Sequence, residues 1–475
     1  MITKNNPLLG LDSYKMGHLE QYIKGTTDVY SYYCNRSDKY FNEHVFFGLQ
    51  YYLKNYLTHK ITKEDGEEFI KYRNMILGNN SERVNTEIRK LCDLGYFPLR
   101  IKALPEGSIT QKHIPLFTIT NTIPGFHWAV GYVESLILKC WYSSVVATTS
   151  YKYRKLVNKL FDESVDESNY FLKDFMVHDF GYRGDTSEEG AALSGIAHLC
   201  SFIGSDTVPA LPLAIRDYNA DITKPIMLSV PASEHSTACS FGKENEFDYF
   251  ENMLNLYPEG IVSIVSDQYD VYKVFTEYAT RLKDKVLKRN GKTVWRPDSG
   301  NPEYIICGDP NAEKDSSQNL GCIRLLDKIF GSSVNSKGYK VLNPKTGLIY
   351  GDGQYYERYE KTQRRLMSMG YSAENLVIGV GGILRNHSRD VLGTAIKAVN
   401  ISVNGMPTEI FKDPVTDPGK KSLKGLLKVF KHNGTIQVKD QCSIEEEKEG
   451  LLETVFLDGK LIRETSLSEI RSRLN

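Results

Sequence analysis

The chain carries no excess of either charge: Lys+Arg and Asp+Glu both number 59 among 475 residues. A formal net charge of zero removes the bulk attraction that a nucleic-acid or anionic-membrane binder uses, so neither partner is expected. No CxxC pair occurs among the eight scattered cysteines, which leaves no zinc knuckle and no dithiol redox motif. No apolar run reaches the ~20 residues of a membrane span. The most apolar stretch, residues 127–142, is interrupted by Glu134 and Lys139 and is expected as a buried helix. The opening segment MITKNNPLLGLDSYKMG has no apolar core and no small-residue cleavage site, so it does not read as a signal peptide. These absences lead to the expectation of a soluble, cytoplasmic protein. There is also no GxxxxGK[ST] and no HExxH, which leaves a Walker-type ATPase and a zincin unsupported.

The length suits two or three domains at about 150 residues each. The first part mixes strand-forming runs such as DVYSYYCNR (28–36) with a helical spacing over 43–57. From about residue 166 the pattern changes. Seven short apolar runs each end in a polar or glycine-rich cluster: HDFGYRG, SDTV, PASEHS, SDQYD, RPDSGNP, GDG and GG, with helix-like stretches between most of them. Strand, polar loop and helix in repetition are the signature of a parallel α/β architecture. Seven units fit an irregular or incomplete parallel α/β barrel, whose chemistry belongs at the strand C-terminal ends. After Lys397 the chain turns β-rich again and closes on a short helix with Ser466 or Ser468 as N-cap. The expected organisation is a discontinuous, β-rich α+β domain of residues 1–165 with 398–475, and a barrel-like catalytic domain of residues 166–397.

The strand-end clusters contain Arg183, Arg296, Asp206, Asp267, Asp298, Asp352, His235 and many glycines. Arginine clamps phosphate bidentately. Glycine lets backbone N–H groups approach phosphate oxygens. Carboxylates suit sugar hydroxyls and Mg²⁺. Taken singly, each residue has an ordinary explanation as a turn, cap or core group. Their recurrence at seven strand ends argues for a phosphate-ribose ligand. A glycosidase needs a carboxylate pair about one bond, and that reading leaves the arginines unexplained.

The same strings, with LDSYKMGH, VYSYY, NSKGYK and FKDPVTDP, resemble the nicotinamide phosphoribosyltransferases of the type II phosphoribosyltransferase family, from about residue 8 to the end. The resemblance implies that nicotinamide and 5-phosphoribosyl 1-pyrophosphate give nicotinamide mononucleotide and pyrophosphate in NAD salvage. By resemblance, His235, Asp298, Arg296 and Asp267 are catalytic. Phe180 and a partner subunit's copy of Tyr14 stack on nicotinamide, Asp206 accepts from the carboxamide, and Arg183 lies near the ring carbonyl. Gly351, Asp352, Gly381, Gly382 and Ser263 line the ribose-phosphate pocket. Arg36, Arg389, Lys397 and Lys412 neutralise pyrophosphate, some of them across a homodimer interface. Mg²⁺ is implied through pyrophosphate, with no protein ligands assigned. ATP is implied as a coupling substrate that phosphorylates His235.

Two departures from the family pattern stand out. The glycine loop is shortened to GVGG (379–382), and Ala395 stands where a phosphate-touching serine is expected. Residues 303–335 match weakly and are expected as a peripheral loop and helix. The alternatives are a nicotinate phosphoribosyltransferase and a catalytically silent nucleotide-binding relative.

Overall fold

The structure is a computed structural model that describes residues 6–384 and 387–474. The chain divides into two compact units. The first comprises the described residues through Thr148, the excursion Leu213–Asp221 and the stretch from His387 onward; the second comprises Thr149–Pro212 and the stretch from Ile222 to Leu384. The observed divisions therefore lie at 148/149 and near 387, where the sequence pattern placed them at 165/166 and 397/398. Both Arg389 and Lys397 fall in the first unit.

The first unit is organised by a seven-stranded antiparallel sheet. Its order is Met406–Glu409, Ala395–Val403, Thr26–Cys34, Pro115–Asn121, Leu99–Ala103, Glu453–Leu457, Lys460–Leu461. A strand from the beginning of the chain thus pairs with one from near the end. Tyr30, Tyr32 and Cys34 alternate along Thr26–Cys34, so they share one face. They pack there with Val399 and Leu427 in a buried cluster. The closing helix Leu467–Leu474 is capped by Ser466: the Glu469 N–H donates to its hydroxyl at 3.2 Å, and the Ser466 N–H donates to the Glu469 carboxylate at 2.7 Å.

The second unit is built on five parallel strands in the order Val177–Asp179, Leu376–Val380, Thr346–Tyr350, Asn290–Arg296, Glu259–Val265. Two expected strands, 199–204 and 226–230, are reduced to isolated bridges. Asp179 pairs with Ser205, Gly204 with Leu228, and Ala232 with Ser263. Those bridges carry the curled sheet round toward closure, which makes the ring irregular. The physical reason lies in the two segments themselves. Pro225 and Pro231 flank the second and remove backbone donors. At Gly204 a Cβ would sit 2.8 Å from His178 Nδ1, so only glycine brings that backbone beside the first strand.

Trp295 is fully buried and donates its indole N–H to the Thr346 hydroxyl at 2.9 Å, tying adjacent strands. The weakly matching region 303–335 is more integrated than expected. Its helix Ser317–Phe330 buries Cys322, Ile323 and Leu326. All eight cysteines are free thiols. Among the described residues, no helix is long and apolar enough to cross a membrane.

Candidate active site at the strand C-terminal ends

The C-terminal end of Val177–Asp179 positions the first group. Asp179 is fully buried, and its carboxylate accepts from the Gly181 N–H at 2.8 Å and the Ser205 hydroxyl at 3.0 Å. These bonds fix the turn that carries Phe180, whose N–H donates to the Val380 carbonyl at 2.8 Å. The Phe180 ring lies across Gly379, where a Cβ would come within 2.1 Å of it. Beside it, the His178 ring is 4.9 Å away, centroid to centroid.

Asp206 follows the bridge at Ser205. Its N–H donates to the Asp179 carbonyl at 2.9 Å, which seats it next to the same strand. One carboxylate oxygen, Oδ1, contacts His178 Nε2 at 2.9 Å and accepts from the Ser229 hydroxyl at 2.5 Å. Burial pushes the Asp206 pKa up, but the bond and charge of His178 together with the Ser229 hydroxyl outweigh it. The carboxyl is held below its usual value.

The segment 228–232 leads into Ser233 and the short helix His235–Cys239. Ser233 is clamped in place: its hydroxyl meets the Tyr249 hydroxyl at 2.5 Å, and the Val265 N–H donates to it at 3.0 Å. His235 is half exposed and places Nε2 3.0 Å from Oδ1 of the nearly buried Asp267. An ionised Asp267 only accepts, so the proton belongs on Nε2 and the lone pair on Nδ1. Beside it, the Ser236 hydroxyl donates to the Glu234 carboxylate.

Arg296 ends the strand Asn290–Arg296 and donates from Nη2 to the Ser233 carbonyl at 2.7 Å. Its buried Nε has no partner among the described residues. Two residues on, burial pushes the Asp298 pKa up; Arg296 and His235 oppose the rise, and the charges of Asp267 and Asp352 add to it. The Tyr350 hydroxyl donates to the Gly300 carbonyl at 3.0 Å, anchoring the loop that carries Asp298. Gly351 and Asp352 follow Tyr350 directly, and a Cβ on Gly351 would lie 2.8 Å from Asp298 Oδ1. Gly381 and Gly382 form the turn after Val380, with Gly382 against Gly184. Arg183 is exposed on the adjacent turn Tyr182–Gly184. Within the ring lies a cavity of about 450 Å³ that runs from His178, Ser229 and Ser263 to Lys292, Thr346 and Asn375 at the strands' N-terminal ends; Phe180, Asp206, His235 and Asp298 do not line it.

One unit therefore gathers Phe180, Arg183, Asp206, His235, Ser263, Asp267, Arg296, Asp298, Gly351, Asp352, Gly381 and Gly382. The remaining candidates belong to the first unit. There Arg36 donates from Nε to the Gly393 carbonyl at 2.9 Å, and its N–H donates to the Leu392 carbonyl at 2.9 Å. Burial and the neighbouring charges of Arg36 and Lys412 push the Lys397 ammonium pKa down, so these three cations share one neighbourhood. Arg389 stands on the same 389–394 loop, and its carbonyl accepts from the Thr394 N–H at 3.3 Å. Ala395 is buried and pairs with Cys34. Tyr14 is 60% exposed, its ring 5.3 Å from that of His18.

Sequence reasoning did not assign His178 or Ser229. The signal for His178 was present in the alternation of Val177, His178 and Asp179, which turns His178 away from the two buried residues flanking it.

Chemistry gathered at the C-terminal ends of a curled parallel sheet is the arrangement of the α/β-barrel enzymes, and that is the class the fold and site give the second unit. Comparison with known proteins narrows it. Residues 175–460 match the nicotinate phosphoribosyltransferase (NAPRTase) family, and residues 6–76 match the N-terminal domain of nicotinamide phosphoribosyltransferase. The chain belongs to the nicotinate phosphoribosyltransferase family of enzymes. It is 40% identical to a nicotinamide phosphoribosyltransferase of Acinetobacter baylyi, over 99% of this chain and 97% of that one. It is 35% identical to the Xanthomonas campestris protein of the same name, over 98% of each. The fold is shared with the nicotinate-nucleotide pyrophosphorylase of Pyrococcus furiosus, at TM-score 0.61 and 15% identity over 99% of this chain and 95% of that one. It is also shared with human nicotinic acid phosphoribosyltransferase, at TM-score 0.56 and 16% identity over 98% and 92%.

Proposed function

We propose that this enzyme is a nicotinamide phosphoribosyltransferase of NAD salvage. The observation that carries the reading is the Asp206 carboxylate, bonded to His178 and Ser229 with the Phe180 ring packed on His178, in a chain whose near-full-length relatives bear that name. Phe180 offers one face for a flat neutral ring. The carboxamide NH₂ of nicotinamide donates to Asp206, whereas the carboxylate of nicotinate meets a like charge there.

In the reaction the ring nitrogen of nicotinamide attacks C1 of 5-phosphoribosyl 1-pyrophosphate. The C1–O bond to pyrophosphate breaks, its electron pair leaves with that oxygen, and the new C1–N bond leaves the positive charge on the pyridinium. Positive charge develops on the ribose, and the carboxylates of Asp267, Asp298 and Asp352 favour it electrostatically. Arg296, with its unsatisfied buried Nε, is suited to hold a phosphate or ribose oxygen. Gly351, Gly381, Gly382 and Ser263 leave room for the ribose phosphate, and Arg183 serves the ring carbonyl and phosphates. Arg36, Arg389, Lys397 and Lys412 are assigned to pyrophosphate, with Tyr14 as the second ring-stacking aromatic. These five belong to the first unit, and we assign Tyr14 and some of the four cations to the active site of a partner subunit in a homodimer; a fully active monomer on sedimentation would refute that assignment.

Among the described residues, no group of three or more His, Cys, Asp and Glu side chains is placed to hold a metal ion. We assign Mg²⁺ to the substrate pyrophosphate, where it would neutralise charge on the leaving group. We assign ATP to His235. With the proton kept on Nε2 by Asp267, the Nδ1 lone pair attacks the γ-phosphorus of ATP and ADP leaves. The cytoplasm is the compartment that suits this metabolism.

Pyrophosphate release tests the reading, measured with each base, with and without ATP. Release with nicotinamide, raised by ATP, is expected. Release with nicotinate in preference to nicotinamide favours the alternative base, and no release with either marks a silent relative.

A further inference from the structure

Asp206 is held on two sides, and both contacts use the same oxygen. His178 Nε2 lies 2.9 Å from Oδ1, and the Ser229 hydroxyl donates to Oδ1 at 2.5 Å. Oδ2 accepts no hydrogen bond among the described residues. His178 is itself fixed. Gly204 receives its Nδ1 side at a distance no Cβ would allow, Phe180 packs at 4.9 Å, and the side chain is only 13% exposed. The titratable groups that bear most on Asp206 among the described residues are His178 and the buried Asp179, both on Val177–Asp179; Ser229 comes from the neighbouring segment and is uncharged. Asp179 pushes toward protonation of Asp206, and the two hydrogen bonds push against it.

We propose that His178 and Ser229 are positioning residues that determine base specificity, by engaging one oxygen of Asp206 and presenting the other, as an anion, to the carboxamide. This inference rests on the nicotinamide reading of the site. Charge-assisted bonds from a hydroxyl and an imidazole are strong enough to keep a partly buried carboxylate ionised against a second carboxylate nearby. An ionised Asp206 accepts from an amide and repels an acid. A protonated Asp206 donates to an acid and no longer excludes it. Loss of the clamp therefore raises the Asp206 pKa, and discrimination fails first on the acid side.

The test is the ratio of kcat/KM for nicotinamide to kcat/KM for nicotinate, followed over about pH 5 to 8. His178→Phe keeps the ring volume and removes the hydrogen bond; His178→Gln loses the ring and keeps a donor. Ser229→Ala removes the second bond at an exposed position. The wild type is expected to hold its ratio across the range. His178→Phe is expected to lose roughly tenfold of that ratio toward the acid end, mostly through the KM for nicotinamide, with the KM for phosphoribosyl pyrophosphate unchanged. Ser229→Ala is expected to show a smaller loss of the same form, and His178→Gln to recover most of the wild-type ratio. If His178→Phe behaves as wild type and His178→Gln fails, His178 only packs and the proposal is overturned. A wild type that makes no mononucleotide from nicotinamide would instead overturn the underlying functional reading.

Discussion

Asp298 is the residue at which the cost of the site is most directly measurable. Burial and the charges of Asp267 and Asp352 raise its pKa, and Arg296 and His235 only partly compensate. A raised carboxyl pKa favours folding while the group is protonated, and that contribution is lost as pH rises through the folded-state value. At neutral pH the ionised Asp298 is therefore a burden on the fold. Asp298→Asn is expected to raise Tm at neutral pH, with the gain shrinking toward acid, while kcat falls; thermal melts across pH check the sign. His235 gives a second prediction at this scale. Its bond to Asp267 orients the imidazole for the assigned phosphoryl transfer, so His235→Ala is expected to retain basal mononucleotide synthesis and lose stimulation by ATP. Full stimulation in that variant would return His235 to a structural role.

Among the elements, the glycine-bearing strand Leu376–Val380 is as important to the pocket as the residues that line it. Gly379 leaves the space the Phe180 ring occupies, and its backbone is compatible with alanine, so Gly379→Ala acts by steric displacement alone. It is expected to raise the KM for nicotinamide about tenfold or more and to leave ATP hydrolysis intact. Steady-state kinetics with both substrates separates the two effects. The element pattern was largely legible in the sequence. All seven polar strand-end clusters lie where the alternation of apolar runs and turns placed them, because each is fixed by local chemistry. Two of the seven preceding strands were not legible as bridges. Their pairing is limited by the flanking prolines and by the His178 ring over Gly204, neither of which an apolar run reveals. The Asp206 clamp was also hidden. His178, Asp206 and Ser229 come from three separate segments, and only the closing of the ring brings them together.

For the whole molecule, the first unit makes the strongest demand. Thr26–Cys34 lies between Ala395–Val403 and Pro115–Asn121, so the beginning of the chain cannot complete its sheet until the end is made. Ending the chain before Ala395 would strip Val399 and Leu427 from Tyr30 and Tyr32, and leave an apolar strand edge open to aggregation. Such a protein is expected to be insoluble, or to be cut readily within residues 6–148 by limited proteolysis. A soluble product resistant across that stretch would contradict the pairing. The sequence pattern anticipated a discontinuous unit, but the excursion Leu213–Asp221 into it had no sequence signal, since a short amphipathic helix looks alike in either unit.

This enzyme transfers phosphoribosyl to nicotinamide, and we assign its choice of base to Asp206. The most direct measurement is mononucleotide formation from each base by wild type and Asp206→Ala. A strong wild-type preference for nicotinamide is expected, falling by about 10- to 100-fold in the variant. Equal use of nicotinamide and nicotinate by the wild type would contradict it.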